Sequence, residues 1–163
     1  MKKLTELDIL KTAILNEVEG FQFYTMAAAR ADDAEVAAAF QNLAQEEQQH
    51  EAWLRKMYQQ VASAGEADVA EITANASSPQ IFRQQNVVPE SGSLEISVYK
   101  IGILMEMASL QFYNSTAEQA QNPALKELLH KLARWEDTHL LYLQQMYDIL
   151  KEEWWDKQGF SPA

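Results

Sequence analysis

Two Glu-x-x-His units stand in this chain, Glu47–His50 and Glu136–His139, and each lies 30 residues after another glutamate, Glu17 and Glu106. Side chains at i and i+3 of a helix share a face, so each unit offers a carboxylate and an imidazole to one centre. Mixed oxygen and imidazole donors suit divalent iron or manganese, with zinc as a possible substitute. Four carboxylates carry about four negative charges, which two divalent cations would cancel. Tyr24 and Tyr113 follow Glu17 and Glu106 by seven residues each, two helical turns, and so stand on the same stripe. They are candidate catalytic residues through another group: each hydroxyl is expected to hydrogen-bond a ligating carboxylate and tune it.

These residues need helices to hold them. Apolar residues recur at three- and four-residue spacing in four segments. The spacing predicts helices over about Thr5–Arg30, Asp33–Val61, Ser93–Ala120 and Asn122–Trp155. Thr5 followed by Asp8 reads as a cap, and Asn122-Pro123 as an N-cap with proline at the first helical position. Short joints near Asp32 and Gln121 make two antiparallel hairpins. Displacing the sequence by 89 positions lays residues 10–61 on 99–150 without a gap, and 16 of the 52 pairs are identical. Glu17 meets Glu106, Tyr24 meets Tyr113, Glu47 meets Glu136 and His50 meets His139. A repeated hairpin joined by a long crossover predicts an all-α, pseudo-twofold four-helix bundle. It reads as a single domain over 1–163, with hairpins at 5–61 and 93–155 and a crossover at 62–92. Ile72, Ile81, Phe82, Val87 and Val88 suggest that the crossover packs against the bundle.

The inward stripe of each helix is apolar except at its middle. The first helix presents Leu10, Ile14, Glu17, Phe21 and Tyr24, and the second Phe40, Leu43, Glu47, His50 and Leu54. The third presents Tyr99, Ile103, Glu106, Leu110 and Tyr113, and the fourth Leu129, Leu132, Glu136, His139 and Leu143. Four glutamates thus fall where a core belongs, with no lysine or arginine on the stripes, and burying unpaired carboxylates is costly. Cations are the direct remedy. Glu19, Glu46 and the third histidine, His130, lie off the stripes and read as solvated. Trp154-Trp155 reads as packing or a contact between subunits.

The net charge of −11 argues against nucleic acid and anionic membranes as partners. The chain has no cysteine, which removes iron–sulfur and thiolate chemistry. The N-terminus soon turns charged and amphipathic, unlike a signal peptide, and no apolar run is long enough to span a bilayer. A cytoplasmic location is expected.

On Glu17 with Phe23-Tyr24, Glu47-Gln48-Gln49-His50, Glu106 with Phe112-Tyr113 and Glu136-Asp137-Thr138-His139, the chain resembles the ferritin-like superfamily, in particular its rubrerythrin-like branch. The resemblance spans nearly the whole chain. It implies two iron ions per chain, bridged by Glu47 and Glu136. Glu17 and His50 would complete one position, and Glu106 and His139 the other. It implies a di-iron oxidoreductase that reduces hydrogen peroxide or dioxygen, fed by an external electron donor such as a rubredoxin, and a homodimer. Ile103 stands where rubrerythrins carry a further carboxylate, which departs from their peroxidase pattern. The six-ligand set also resembles bacterioferritin, so the alternative is a ferroxidase serving an iron-storage cage. Gln48 replaces the haem-binding methionine of bacterioferritin, so no haem is expected. A bundle whose metal is purely structural is the third reading.

Overall fold

In the computed structural model the described residues are 4–63 and 94–159, together with 73, 76, 79 and 81 between them. Four helices run over α1 (Glu6–Arg30), α2 (Ala34–Ala62), α3 (Leu94–Gln119) and α4 (Pro123–Lys157). Each end falls within two residues of its expected place, because local chemistry sets it. Thr5 Oγ1 accepts the Asp8 amide at 3.1 Å while Asp8 Oδ2 accepts the Thr5 amide at 3.1 Å, a reciprocal cap. Asp33 Oδ1 accepts the amides of Glu35 and Val36. Asn122 Oδ1 does the same for Ala124 and Leu125, with Pro123 opening α4. Glu6 Oε1 accepts the amide of Gln121 at 2.9 Å and so ties the start of α1 to the turn between α3 and α4.

Backbones come closest within the pairs α1–α2 and α3–α4; across the pairs α1 neighbours α3 and α2 neighbours α4. This is the expected pair of hairpins in one four-helix bundle. Most of the predicted crossover, including Ile72, Phe82, Val87 and Val88, lies outside the described residues. Ile81, the member that is described, is partly buried against Phe40, Tyr99 and their neighbours. No helix among the described residues is long and apolar enough to cross a membrane.

The apolar core comes in two pieces. One gathers Leu10, Ile14, Leu54, Leu125, Leu129 and Leu132. The other gathers Phe23, Phe40, Leu43, Tyr99 and Leu143. Glu17, Glu47, Glu106 and Glu136 occupy the middle of the stripes that these two clusters share. Gly102 lets α3 approach α4: a Cβ there would meet Leu143 Cδ1 at 3.1 Å. Leu129 is fully buried. Leu129→Ala should therefore cost about 2–5 kcal/mol in urea unfolding, while leaving the polar centre intact. A loss below about 1 kcal/mol would mean the cluster is looser than its burial shows.

Candidate metal centre

Six polar side chains meet between the two apolar clusters. α1 supplies Glu17, α2 supplies Glu47 and His50, α3 supplies Glu106, and α4 supplies Glu136 and His139; none is more than 2% exposed. His50 Nδ1 lies 3.1 Å from Glu17 Oε2 and 3.5 Å from both Glu47 Oε2 and Glu136 Oε1. His139 Nδ1 lies 3.4 Å from Glu47 Oε1, 3.4 Å from Glu136 Oε2 and 3.6 Å from Glu106 Oε1. The two imidazoles stack with centroids 5.6 Å apart. Two overlapping groups result, Glu17–Glu47–His50–Glu136 and Glu47–Glu106–Glu136–His139, each with ligand atoms within 4.8 Å of one another. Glu47 and Glu136 belong to both.

Both tyrosines are fully buried, and their hydroxyls are used crosswise. Tyr24 on α1 donates to Glu106 Oε1 on α3, and Tyr113 on α3 donates to Glu17 Oε1 on α1. A tyrosine seven residues along its own helix is about 10 Å from its own glutamate, beyond the reach of its hydroxyl. Antiparallel α1 and α3 bring it level with the other half's glutamate instead. Asn16, 1% exposed, donates from Nδ2 to Ser109 Oγ at 3.2 Å and to Glu17 Oε1 at 3.4 Å.

Burial dominates the electrostatics. It pushes Glu17 and Glu106 well above the usual carboxylate range, helped by the neighbouring charges of Glu47 and Glu136. Burial also acts on Glu47 and Glu136, but the adjacent imidazoles of His139 and His50 outweigh it and hold both below that range. Burial alone would discharge the histidines. The carboxylates around them reverse this, taking His50 up to about 12 and raising His139 as well. Without metal, protons in the centre thus favour His50 and His139 over Glu47 and Glu136, while Glu17 and Glu106 hold theirs to higher pH than an ordinary carboxylate. The tyrosine hydroxyls are pushed up by burial and by Glu106 and Glu17, so they stay protonated as donors.

The donor set fits two divalent cations. Glu47 Oε1, Glu106 Oε2, Glu136 Oε1 and His139 Nδ1 are buried and lack a hydrogen-bond partner among the described residues. Buried polar atoms seldom stay unpaired, and these face one another. Oxygen with imidazole is the ligand chemistry of iron and manganese.

Sequence reasoning overlooked some neighbours of this centre. Glu46 is 45% exposed, but it does not merely meet water: its Oε2 lies 2.6 Å from His139 Nε2. Residue 46 sits about 100° around the helix from Glu47, which turns it towards α4. Asn16 precedes Glu17 in the same way and faces α3. His130 is a surface residue, 3.7 Å from Glu118. Trp154 and Trp155 pack edge-to-face with each other at 4.9 Å, and Trp155 is 40% exposed.

The rubrerythrin family matches this chain over residues 8–147. Among solved structures, a hypothetical protein from Pyrococcus furiosus superposes with a TM-score of 0.69 at 24% identity, covering 91% of this chain and 92% of that one. A dodecameric thioferritin, the bacterioferritin-related protein from Bacteroides fragilis, superposes with a TM-score of 0.68 at 18% identity, covering 98% of this chain and 94% of that one. These likenesses show a ferritin-like bundle. No curated protein matches the chain significantly.

Proposed function

We propose that this chain, which belongs to the rubrerythrin family, is a di-iron oxidoreductase that reduces hydrogen peroxide or dioxygen. The observation that carries the reading is the buried centre itself: two donor groups sharing Glu47 and Glu136, with unpaired oxygens facing inward. Glu17 and His50 would hold one ion, Glu106 and His139 the other, and Glu47 and Glu136 would join them. Two ferrous ions bound there would supply two electrons, the number that converts one hydrogen peroxide and two protons into two waters. The chain's own residues do the rest. The two apolar clusters exclude bulk water and so strengthen each charge interaction within. Tyr24 and Tyr113 fix the rotamers of Glu106 and Glu17 by donating to one oxygen each.

The 163 residues contain no cysteine to hold an iron–sulfur centre that could return the electrons. An external donor protein such as a rubredoxin is the proposed source, with the cytoplasm as the location. The dodecameric neighbour supports an oligomeric assembly, and solution mass separates the homodimer from a dodecamer or a larger storage cage.

The test is a single turnover. Protein loaded anaerobically with two Fe(II) per chain is mixed with one equivalent of hydrogen peroxide in a stopped-flow cell. Near-ultraviolet absorbance of Fe(III) should rise to two oxidised ions per peroxide, much faster than for free Fe(II). Oxidation no faster than in solution would overturn the reading. Rapid oxidation by dioxygen with growth of a mineral core would favour iron storage instead.

A further inference from the structure

The two halves differ beside the histidines. At the position that matches Glu46 in the internal repeat stands Trp135, and at the position that matches Trp53 stands Tyr142. His50 consequently has aromatic neighbours, Trp53 at 5.5 Å and Trp135 at 5.9 Å between ring centroids. Lys131 lies 4.2 Å over the Trp53 ring on that side. His139 has a carboxylate, Glu46, 2.6 Å from its outer nitrogen. A cavity of about 260 Å³ adjoins that pair, lined by Asn42, Glu46, Thr138, His139 and Tyr142 together with the apolar Ala39 and Leu43. One histidine therefore lies against tryptophans, and the other meets a cavity of mixed lining beside a half-exposed Glu46.

We infer that Glu46 is a positioning residue that makes the two metal positions unequal, so that the Glu106–His139 position fills first and holds its ion more tightly. This rests on the two-metal reading above. A carboxylate that accepts the outer N–H of a ligating imidazole fixes its tautomer and ring orientation and increases its basicity as a ligand. With the N–H on Nε2, Nδ1 of His139 is left free to face Glu47, Glu106 and Glu136. His50 has Trp135 where that carboxylate would be. The cavity opens beside the favoured position on the α2–α4 face. On the other side Asn16 donates to Glu17 and to Ser109, and neither bond reaches an imidazole.

The experiment is a titration of metal-free protein with Co²⁺, followed by calorimetry and by the visible bands of the bound ion. Wild type should take two ions in two resolved steps. Glu46→Gln should weaken the tighter step by about 10- to 100-fold and leave the other within about threefold. Glu106→Gln should remove the tighter step, and Glu17→Gln the weaker. Trp135→Glu, which places a carboxylate at the matching position beside His50, should tighten the weaker step. In protein loaded with one Co²⁺, proton NMR should show a hyperfine-shifted His139 Nε2–H whose exchange with water quickens in Glu46→Gln. Two ions bound with indistinguishable affinity, an unchanged ratio of steps in Glu46→Gln, or loss of the tighter step in Glu17→Gln would each overturn the inference. Binding of fewer than two ions by wild type would overturn the two-metal reading and this inference with it.

Discussion

Replacing Glu47 and Glu136 together by alanine abolishes binding of both metal ions, whereas replacing Glu17 alone leaves one. The difference follows from membership. Glu47 and Glu136 occur in both donor groups, while Glu17 occurs only in the group of His50 and Glu106 only in that of His139. Each shared carboxylate also faces both imidazoles, since Glu47 and Glu136 each lie within 3.5 Å of His50 Nδ1 and His139 Nδ1. Removing them takes away two of the three carboxylates at both positions at once. Metal analysis after gel filtration should give about two ions per chain for wild type, one for Glu17→Ala and none for the double variant. Stability adds a second readout: wild type should gain about 2.7 kcal/mol per bound ion from metal present at a hundredfold excess over its dissociation constant, and the double variant nothing. Two ions retained by the double variant would sink the assignment. A variant with glutamines at both positions keeps the volume of the core and separates loss of ligands from loss of packing.

Much of this centre was legible in the chain because two independent signals coincide. Apolar periodicity places Glu17, Glu47, His50, Glu106, Glu136 and His139 on inward stripes, and the repeat at 89 positions places them twice. The structure brings all six together. Caps made the helix ends legible as well, since Thr5, Asp33 and Asn122 each accept amides at a helix start. Periodicity describes one helix at a time, however. It says which face a residue takes, not which residue of a neighbouring helix stands level with it. The crossed bonds of Tyr24 and Tyr113 depend on that register, and so escaped. Asn16 and Glu46 escaped for a related reason. Each directly precedes an inward glutamate and is rotated about 100° from it, off the stripe but against an adjacent helix. The repeat held a signal for both: it opposes Asn16 to Met105 and Glu46 to Trp135, a polar residue in one half against an apolar one in the other.

That asymmetry bears on how the fold and the function share one set of charges. A four-helix bundle with a fully apolar centre would be simpler to stabilise. This one keeps ionisable groups between Leu129 and Leu132 on one side and Phe40 and Leu43 on the other. Without metal they survive by sharing protons among themselves, Glu47 and Glu136 ionised against two imidazolium rings. The arrangement that makes the empty fold tolerable is therefore the one that a metal must displace.

At pH 7, saturation with two divalent ions should release at least two protons per chain. Two come from His50 and His139, both charged in the metal-free fold because the surrounding carboxylates raise them. Burial pushes Glu17 and Glu106 up in the same direction, so any proton they hold is released as well. All four must be deprotonated to act as ligands. While the two histidines remain charged in the metal-free state, the joint binding constant for two ions rises by at least about two powers of ten per pH unit. The metal-free fold has the opposite dependence. Its raised groups bind more protons folded than unfolded, so their contribution is full below the ordinary values of 4.5 and 6.5 and is lost as pH climbs through the folded values. Glu47 and Glu136, held low, contribute above 4.5 and lose that contribution as pH falls through their folded values. Metal-free protein should thus melt at a lower temperature at pH 8 than at pH 6, and the gain in melting temperature from added metal should widen over the same interval. An indicator dye in weak buffer measures the protons directly. Fewer than one proton released per chain, or a metal-free protein that becomes more stable from pH 6 to pH 8, would contradict the charge distribution derived for this centre.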